Sequence, residues 1–102
     1  MTYYELEYAV ECWAKEKQII GKASPSTQTL KTASELGELC DAIIKDDRYG
    51  QIDAIGDVMV CLIILCRMLE LDLVLCLESA YNVIKDRTGA SLPNGTFVKD
   101  EL

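Results

Sequence analysis

The chain contains no histidine, no Cys-x-x-Cys and no run of basic residues. The first two absences remove the usual ligand sets for zinc. The third, with a formal net charge of −7, argues against nucleic acid, because no basic stripe exists to neutralise a phosphate backbone. It argues equally against an anionic membrane surface, but not against a nucleotide whose charge is met by metal ions. No segment approaches the ~20 apolar residues that span a bilayer; the longest run is Val58 to Cys66. Met1-Thr-Tyr-Tyr-Glu is neither basic nor apolar, so no signal peptide is expected. The last four residues, Lys99-Asp100-Glu101-Leu102, spell a retention tag that has no entry signal to act with. Repeats and low-complexity tracts are missing too.

What is present is apolar and acidic. Half of the 102 residues are hydrophobic. A single domain of this size hides roughly 60–68% of its unfolded surface, so one thin core is feasible and oligomerisation would help it. The five cysteines, Cys12, Cys40, Cys61, Cys66 and Cys76, are odd in number and mostly sit among aliphatic residues. They read as reduced core residues of a cytoplasmic protein.

The apolar pattern is helical nearly throughout. A single all-α domain over residues 1–102 is expected, with helix one over 1–20, helix two over 26–47, helix three over 51–70, helix four over 72–88 and a short extended tail over 89–102. Leu6, Val10, Trp13 and Ile20 give helix one its stripe. Helix two carries Leu30, Ala33, Leu36, Gly37, Cys40, Ile43 and Ile44. Helix three is apolar on every side in its middle and should be the central element. Short loops make neighbouring helices antiparallel, which gives a four-helix bundle. The apolar third helix suggests that a second subunit packs against it.

Four carboxylates break this pattern: Glu35 and Glu38 on helix two, Asp53 and Asp57 on helix three. Residues three or four apart share a helix face. Folding the two helices back about Asp47–Arg48 brings Glu38 level with Asp57. Glu35 then lies one turn farther from the reversal and Asp53 one turn nearer. The four surround a volume ~11 Å long. A Glu-x-x-Glu alone is commonly just a solvated face, but Asp57 abuts the apolar run, where an uncompensated acid is costly. The set calls for a hard divalent cation with oxygen ligands. Gly37 and Gly56, beside these acids, suit either close helix approach or room for a ligand.

At these residues the chain resembles the MazG-like, all-α nucleoside triphosphate pyrophosphohydrolases, over roughly Trp13 to Glu101. The family pattern is E-E-x-x-E on one helix and E-x-x-D on the next. Lys31-Thr-Ala-Ser34-Glu35-Leu-Gly-Glu38-Leu is similar to its first half and Ile55-Gly56-Asp57-Val58 to its second. Tyr81-Asn82-Val-Ile-Lys85-Asp86-Arg87 and Gly95-Thr-Phe97-Val98-Lys99 resemble its C-terminal end. Two positions depart: Ser34 stands at the first glutamate and Ala54 at the glutamate of E-x-x-D. Asp53 is the candidate replacement for the latter, and Asp41 the reserve.

The resemblance implies Mg2+, with Mn2+ as a substitute, and cleavage of a (d)NTP to a (d)NMP and pyrophosphate. It makes Glu35, Glu38 and Asp57 metal ligands, to which Asp53 is added as the candidate substitute, with Glu35 or Glu38 also orienting water as the catalytic residue. Lys31, Lys85 and Arg87 are candidates for phosphate, Asn82 for ribose or phosphate, and Trp13 for stacking on the base. Each of the last five has an ordinary surface or core role as its alternative. Phe97 and Lys99 belong to a tail able to fold over a site. The expected partners are a nucleoside triphosphate and further copies of the chain, as a homodimer or homotetramer. Two other readings stand beside this one: a non-enzymatic helical adaptor or regulator, which Ser34 and Ala54 favour, and a related all-α pyrophosphatase with a dUTP/dCTP-type or phosphoribosyl-ATP-type substrate.

Overall fold

A computed structural model describes residues 1–101. The fold is all-α, with a small hairpin at its end: α1 (Tyr3–Glu16), α2 (Ile19–Lys22), α3 (Pro25–Ile44), α4 (Arg48–Met68), α5 (Leu73–Ile84), β1 (Gly89–Ser91) and β2 (Phe97–Lys99). Each long helix starts on a side chain that accepts an orphan backbone N–H. Thr2 and Glu5 form a reciprocal capping box at α1. Ser24 caps α3 through the Thr27 N–H at 3.1 Å, with Pro25 in the first turn. Asp47 caps α4 through the Gly50 N–H at 3.0 Å, and Asp72 caps α5 through the Leu75 N–H at 3.1 Å.

Several boundaries differ from the periodicity. Helix one was expected to reach Ile20; α1 stops at Glu16 because Gln18 turns left-handed (φ 63°), and Ile20 and Gly21 (φ 113°) leave helical geometry. Helix three begins earlier than residue 51, since the Asp47 cap starts α4 at Arg48. Helix four was expected to reach residue 88 and ends at Ile84. The tail forms an antiparallel hairpin, pairing Gly89 with Lys99 and Ser91 with Phe97 around Gly95 (φ 90°), a conformation that favours glycine.

α3 and α4 form an antiparallel hairpin, the most extensive pairing in the molecule. Two glutamine amides staple it. Gln28 Nε2 donates to the Cys61 carbonyl at 3.1 Å, and Gln51 Nε2 donates to the Ala42 carbonyl at 3.4 Å near the reversal. By length and apolar composition α4 meets the requirement for a bilayer span; the Val58–Cys66 run understated it. In this fold α4 is the hub, packed by α1, α2, α3 and α5. Among the described residues, its inward Ala54, Cys61, Ile63 and Ile64, with Ala14 and Ala42, make up the buried apolar core.

That core is small. The chain exposes 7855 Å2, whereas a compact 11.4 kDa monomer exposes about 5,800 Å2. Its radius of gyration is 16.3 Å, against about 13 Å for a compact chain of this length. α5 accounts for part of the excess: it packs on α4 alone among the helices, and past Leu73 and Val74 every residue of it is exposed. The expectation for cysteine is corrected as well. All five are free, but Cys12, Cys40 and Cys76 are exposed and only Cys61 is buried.

Candidate functional site

The buried face of α3 is not its leucine stripe. Gln28, Thr32, Glu35 and Ala42 face α4, while Leu30, Leu36, Ile43 and Ile44 are exposed. This polar seam carries the acids. Glu35, Glu38 and Asp57 each offer a carboxylate oxygen, all within 4.8 Å of one another, from two turns of α3 and one of α4. Among the described residues they are the one set of acids, thiols or imidazoles that converges in this way. Glu35 is only 6% exposed. Lys31, one turn earlier, donates its ammonium to Glu35 Oε1 at 3.0 Å. The other oxygen, Oε2, is buried without any hydrogen-bond partner. A buried, unpartnered carboxylate oxygen costs free energy unless something fills the vacant coordination.

The charges respond to this crowding. Lys31 holds the Glu35 carboxyl below the usual carboxylate range, and contact with Glu38 acts in the same direction. Glu38 is pushed above that range, chiefly by the adjacent Glu35. Asp57 is pushed up by burial first, then by the negative charge of Asp53 and Glu35. The set is an acidic trap with one resident cation at its edge. Three hard oxygen donors, one from a carboxylate whose second oxygen is buried and orphaned, fit Mg2+ or Mn2+, and the thiol of Cys61, raised by burial, is a poor competitor as ligand.

Two cavities flank the cluster. One of about 190 Å3 is lined by Trp13, Gln28, Lys31, Glu35, Asp57 and Cys61, among others. The other, about 200 Å3, is lined by Glu38, Asp41, Lys45, Asp47, Asp53 and Ala54, among others. Lys31 pairs with Glu35, and Trp13 lines a cavity with Glu35 and Asp57. Trp13 is not core; its indole is half exposed and walls the first cavity. Asp53 is close enough to raise Asp57 but stands outside the converging three, on the rim shared with Asp41. Asn82, Lys85 and Arg87 line neither cavity; Arg87 instead borders a groove with Lys99 and the tail. A larger groove, about 710 Å3, lies between α1 and the α4–α5 junction. Its acids Glu7, Glu11, Glu70 and Asp72 do not converge on a point, so it is not the chemical centre.

Sequence reasoning missed Gln28. It is 4% exposed and walls the same cavity as Trp13. The available signal was spacing: Gln28, Thr32 and Glu35 recur on one helix face. Gly37 and Gly56 resolve as open space, since a Cβ on either would meet nothing within 4 Å. They are not required for the approach of α3 to α4.

No family model matches the chain. A stretch of 66 residues is 33% identical to an uncharacterised 18.2 kDa protein from the rep-hol intergenic region of Haemophilus phage HP1 (strain HP1c1). The match covers 65% of this chain and 40% of that protein, so the chain spans less than half the relative's length. A solved structure of the cyanophage S-2L MazG-like pyrophosphohydrolase, bound to dGDP and three catalytic Mn2+ ions per active site, superposes with a TM-score of 0.73. The superposition covers 99% of this chain and 95% of that one, at 22% sequence identity. The all-α architecture built around the α3–α4 acidic seam is therefore the MazG-like fold.

Proposed function

We propose that this chain is a divalent-metal-dependent nucleoside triphosphate pyrophosphohydrolase, with Mg2+ as its working ion and Mn2+ as a substitute. The observation that carries the reading is the convergence of Glu35, Glu38 and Asp57, with one buried oxygen of Glu35 left unpartnered, inside a fold shared with a MazG-like pyrophosphohydrolase. In the reaction a water oxygen bonds to the α-phosphorus, the bridge to the β-phosphate breaks, pyrophosphate leaves and the water gives up a proton. Bound divalent ions supply charge neutralisation and lower the pKa of water.

The chain's own groups do the rest. Glu35, Glu38 and Asp57 would hold the metal. Glu38 is more exposed and carries a raised carboxyl, which suits it to orient the water and take its proton where Ser34 offers no carboxylate. Lys31 meets phosphate. Trp13 stacks on the base along the wall of the cavity it shares with Glu35 and Asp57. Asp53 completes the acidic rim where Ala54 lacks a carboxylate.

The surface excess supports a homodimer or homotetramer. Asn82, Lys85 and Arg87 reach phosphate only if α5 meets the acidic seam across a subunit interface. The test is incubation with Mg2+ and each of the eight NTPs and dNTPs, measuring pyrophosphate. Release with at least one, abolished by chelator and lowered by Asp53→Ala, is expected. No release with any nucleotide overturns the reading in favour of a non-enzymatic helical adaptor, which the substitutions at Ser34 and Ala54 would then explain.

A further inference from the structure

The cation already in the seam is an ammonium. Lys31 Nζ sits 3.0 Å from Glu35 Oε1, with the Lys31 side chain 60% exposed and that of Glu35 8%. Lysine therefore reaches inward from solvent on a flexible stem to a buried carboxylate. The other oxygen of the same carboxylate, Oε2, stays unpartnered, and Glu35 converges with Glu38 and Asp57. A divalent ion entering among these three carboxylates must share Glu35 with an ammonium a few ångströms away, and like charges at that range repel. The same lysine lines the cavity that Trp13 walls.

Building on the metal-dependent reading above, we propose that Lys31 is an exchangeable counter-ion: it neutralises Glu35 until a divalent cation enters, then leaves Glu35 for the nucleotide's phosphates. This role differs from that of a structural brace. A brace would hold Glu35 in position and so strengthen metal binding. A counter-ion competes with the metal, and weakens binding until phosphate draws it away. Metal and nucleotide then favour one another through Lys31, because each removes the other's obstacle.

The test measures binding without turnover. Mn2+ affinity is read from the free-ion electron paramagnetic resonance signal for the wild type, Lys31→Met and Lys31→Arg, with helicity checked by circular dichroism. Without nucleotide, Lys31→Met binds Mn2+ about fivefold more tightly than wild type, the screened repulsion of one charge at that distance. Lys31→Arg, which keeps the charge, stays within about twofold of wild type. Adding a non-hydrolysable triphosphate tightens Mn2+ binding in wild type and does so less in Lys31→Met. Equal or weaker Mn2+ binding by a folded Lys31→Met, with wild type binding normally, overturns the counter-ion role and leaves the pyrophosphohydrolase reading intact. Failure of the wild type itself to bind Mn2+ overturns both.

Discussion

Leu77 is the residue on which the assembly of this chain is best tested. It lies mid-way along α5 and is 68% exposed, on a helix that reads Leu-Val-Leu-Cys-Leu-Glu-Ser-Ala-Tyr-Asn-Val-Ile and buries none of its twelve residues. Full burial of a leucine side chain is worth about 1.5–3 kcal/mol. Two thirds of that remains to be gained, ~1–2 kcal/mol per copy. A twofold interface uses the patch twice, so loss of the side chain costs about 2–4 kcal/mol, or ~30- to 700-fold in dissociation constant. Leu77→Glu adds the desolvation of a carboxylate to that. Sedimentation velocity across about two decades of concentration reads the result. Wild type should sediment above the 11.4 kDa of one chain, and Leu77→Glu should shift to the monomer with its helicity kept, since the glutamate is solvated there. A wild type that stays monomeric at high concentration would refute the inference from surface area. An assembly untouched by Leu77→Glu would remove α5 from the interface.

Further outcomes follow from the acidic seam. In the metal-free protein Asp57 and Glu38 carry raised carboxyls, so the folded state holds their protons more tightly than the unfolded chain does. Their contribution to stability is present below the ordinary carboxylate range and is lost as pH rises through the raised values. Glu35, held low by Lys31, has the opposite sign and loses its contribution as pH falls through its lowered value. Thermal unfolding without metal should therefore show a maximum in mild acid. The stabilisation on adding Mg2+ should shrink toward that same pH, because the ion needs both raised carboxyls deprotonated; a gain independent of pH would contradict the ligand set. Gly37→Ala and Gly56→Ala meet open space and should each raise stability by about 0.5–1 kcal/mol, seen as a higher melting temperature. A lower one would mean that a second copy packs against these glycines.

The sequence made the helices and the acids legible for different reasons. Caps and breakers are local chemistry: Ser24, Asp47 and Asp72 each accept an N–H three residues on, yet starts placed at residues 26 and 51 passed over the first two. The hairpin register followed from counting outward from Asp47–Arg48, which is why Glu38 and Asp57 meet. The departures are non-local. The end of α1 depends on a left-handed Gln18, which nothing in its residue type required. The positions of Asn82, Lys85 and Arg87 depend on where α5 goes after the left-handed Glu70, and helical period has no bearing on that.

The inward face of α3 is the most instructive reversal. Leu30, Leu36, Ile43 and Ile44 lie on the apolar stripe of helix two, and these are exposed, while Gln28, Thr32 and Glu35 are buried. A hydrophobic stripe marks the face that will be covered, and it does not say by what. In a chain whose hairpin seam must hold carboxylates, amides and room for a charged ligand, the seam contributes little apolar burial. Cohesion then has to come from the other faces. The exposed leucines and isoleucines of α3, with Ile52, Ile55 and Met59 of α4 and the length of α5, are where it is available, provided that another copy supplies the opposite surface. Chemistry inside the hairpin and association outside it meet in one expectation: if copies of the chain associate, the exposed apolar faces of α3, α4 and α5 supply the burial that a seam gathering Glu35, Glu38 and Asp57 does not.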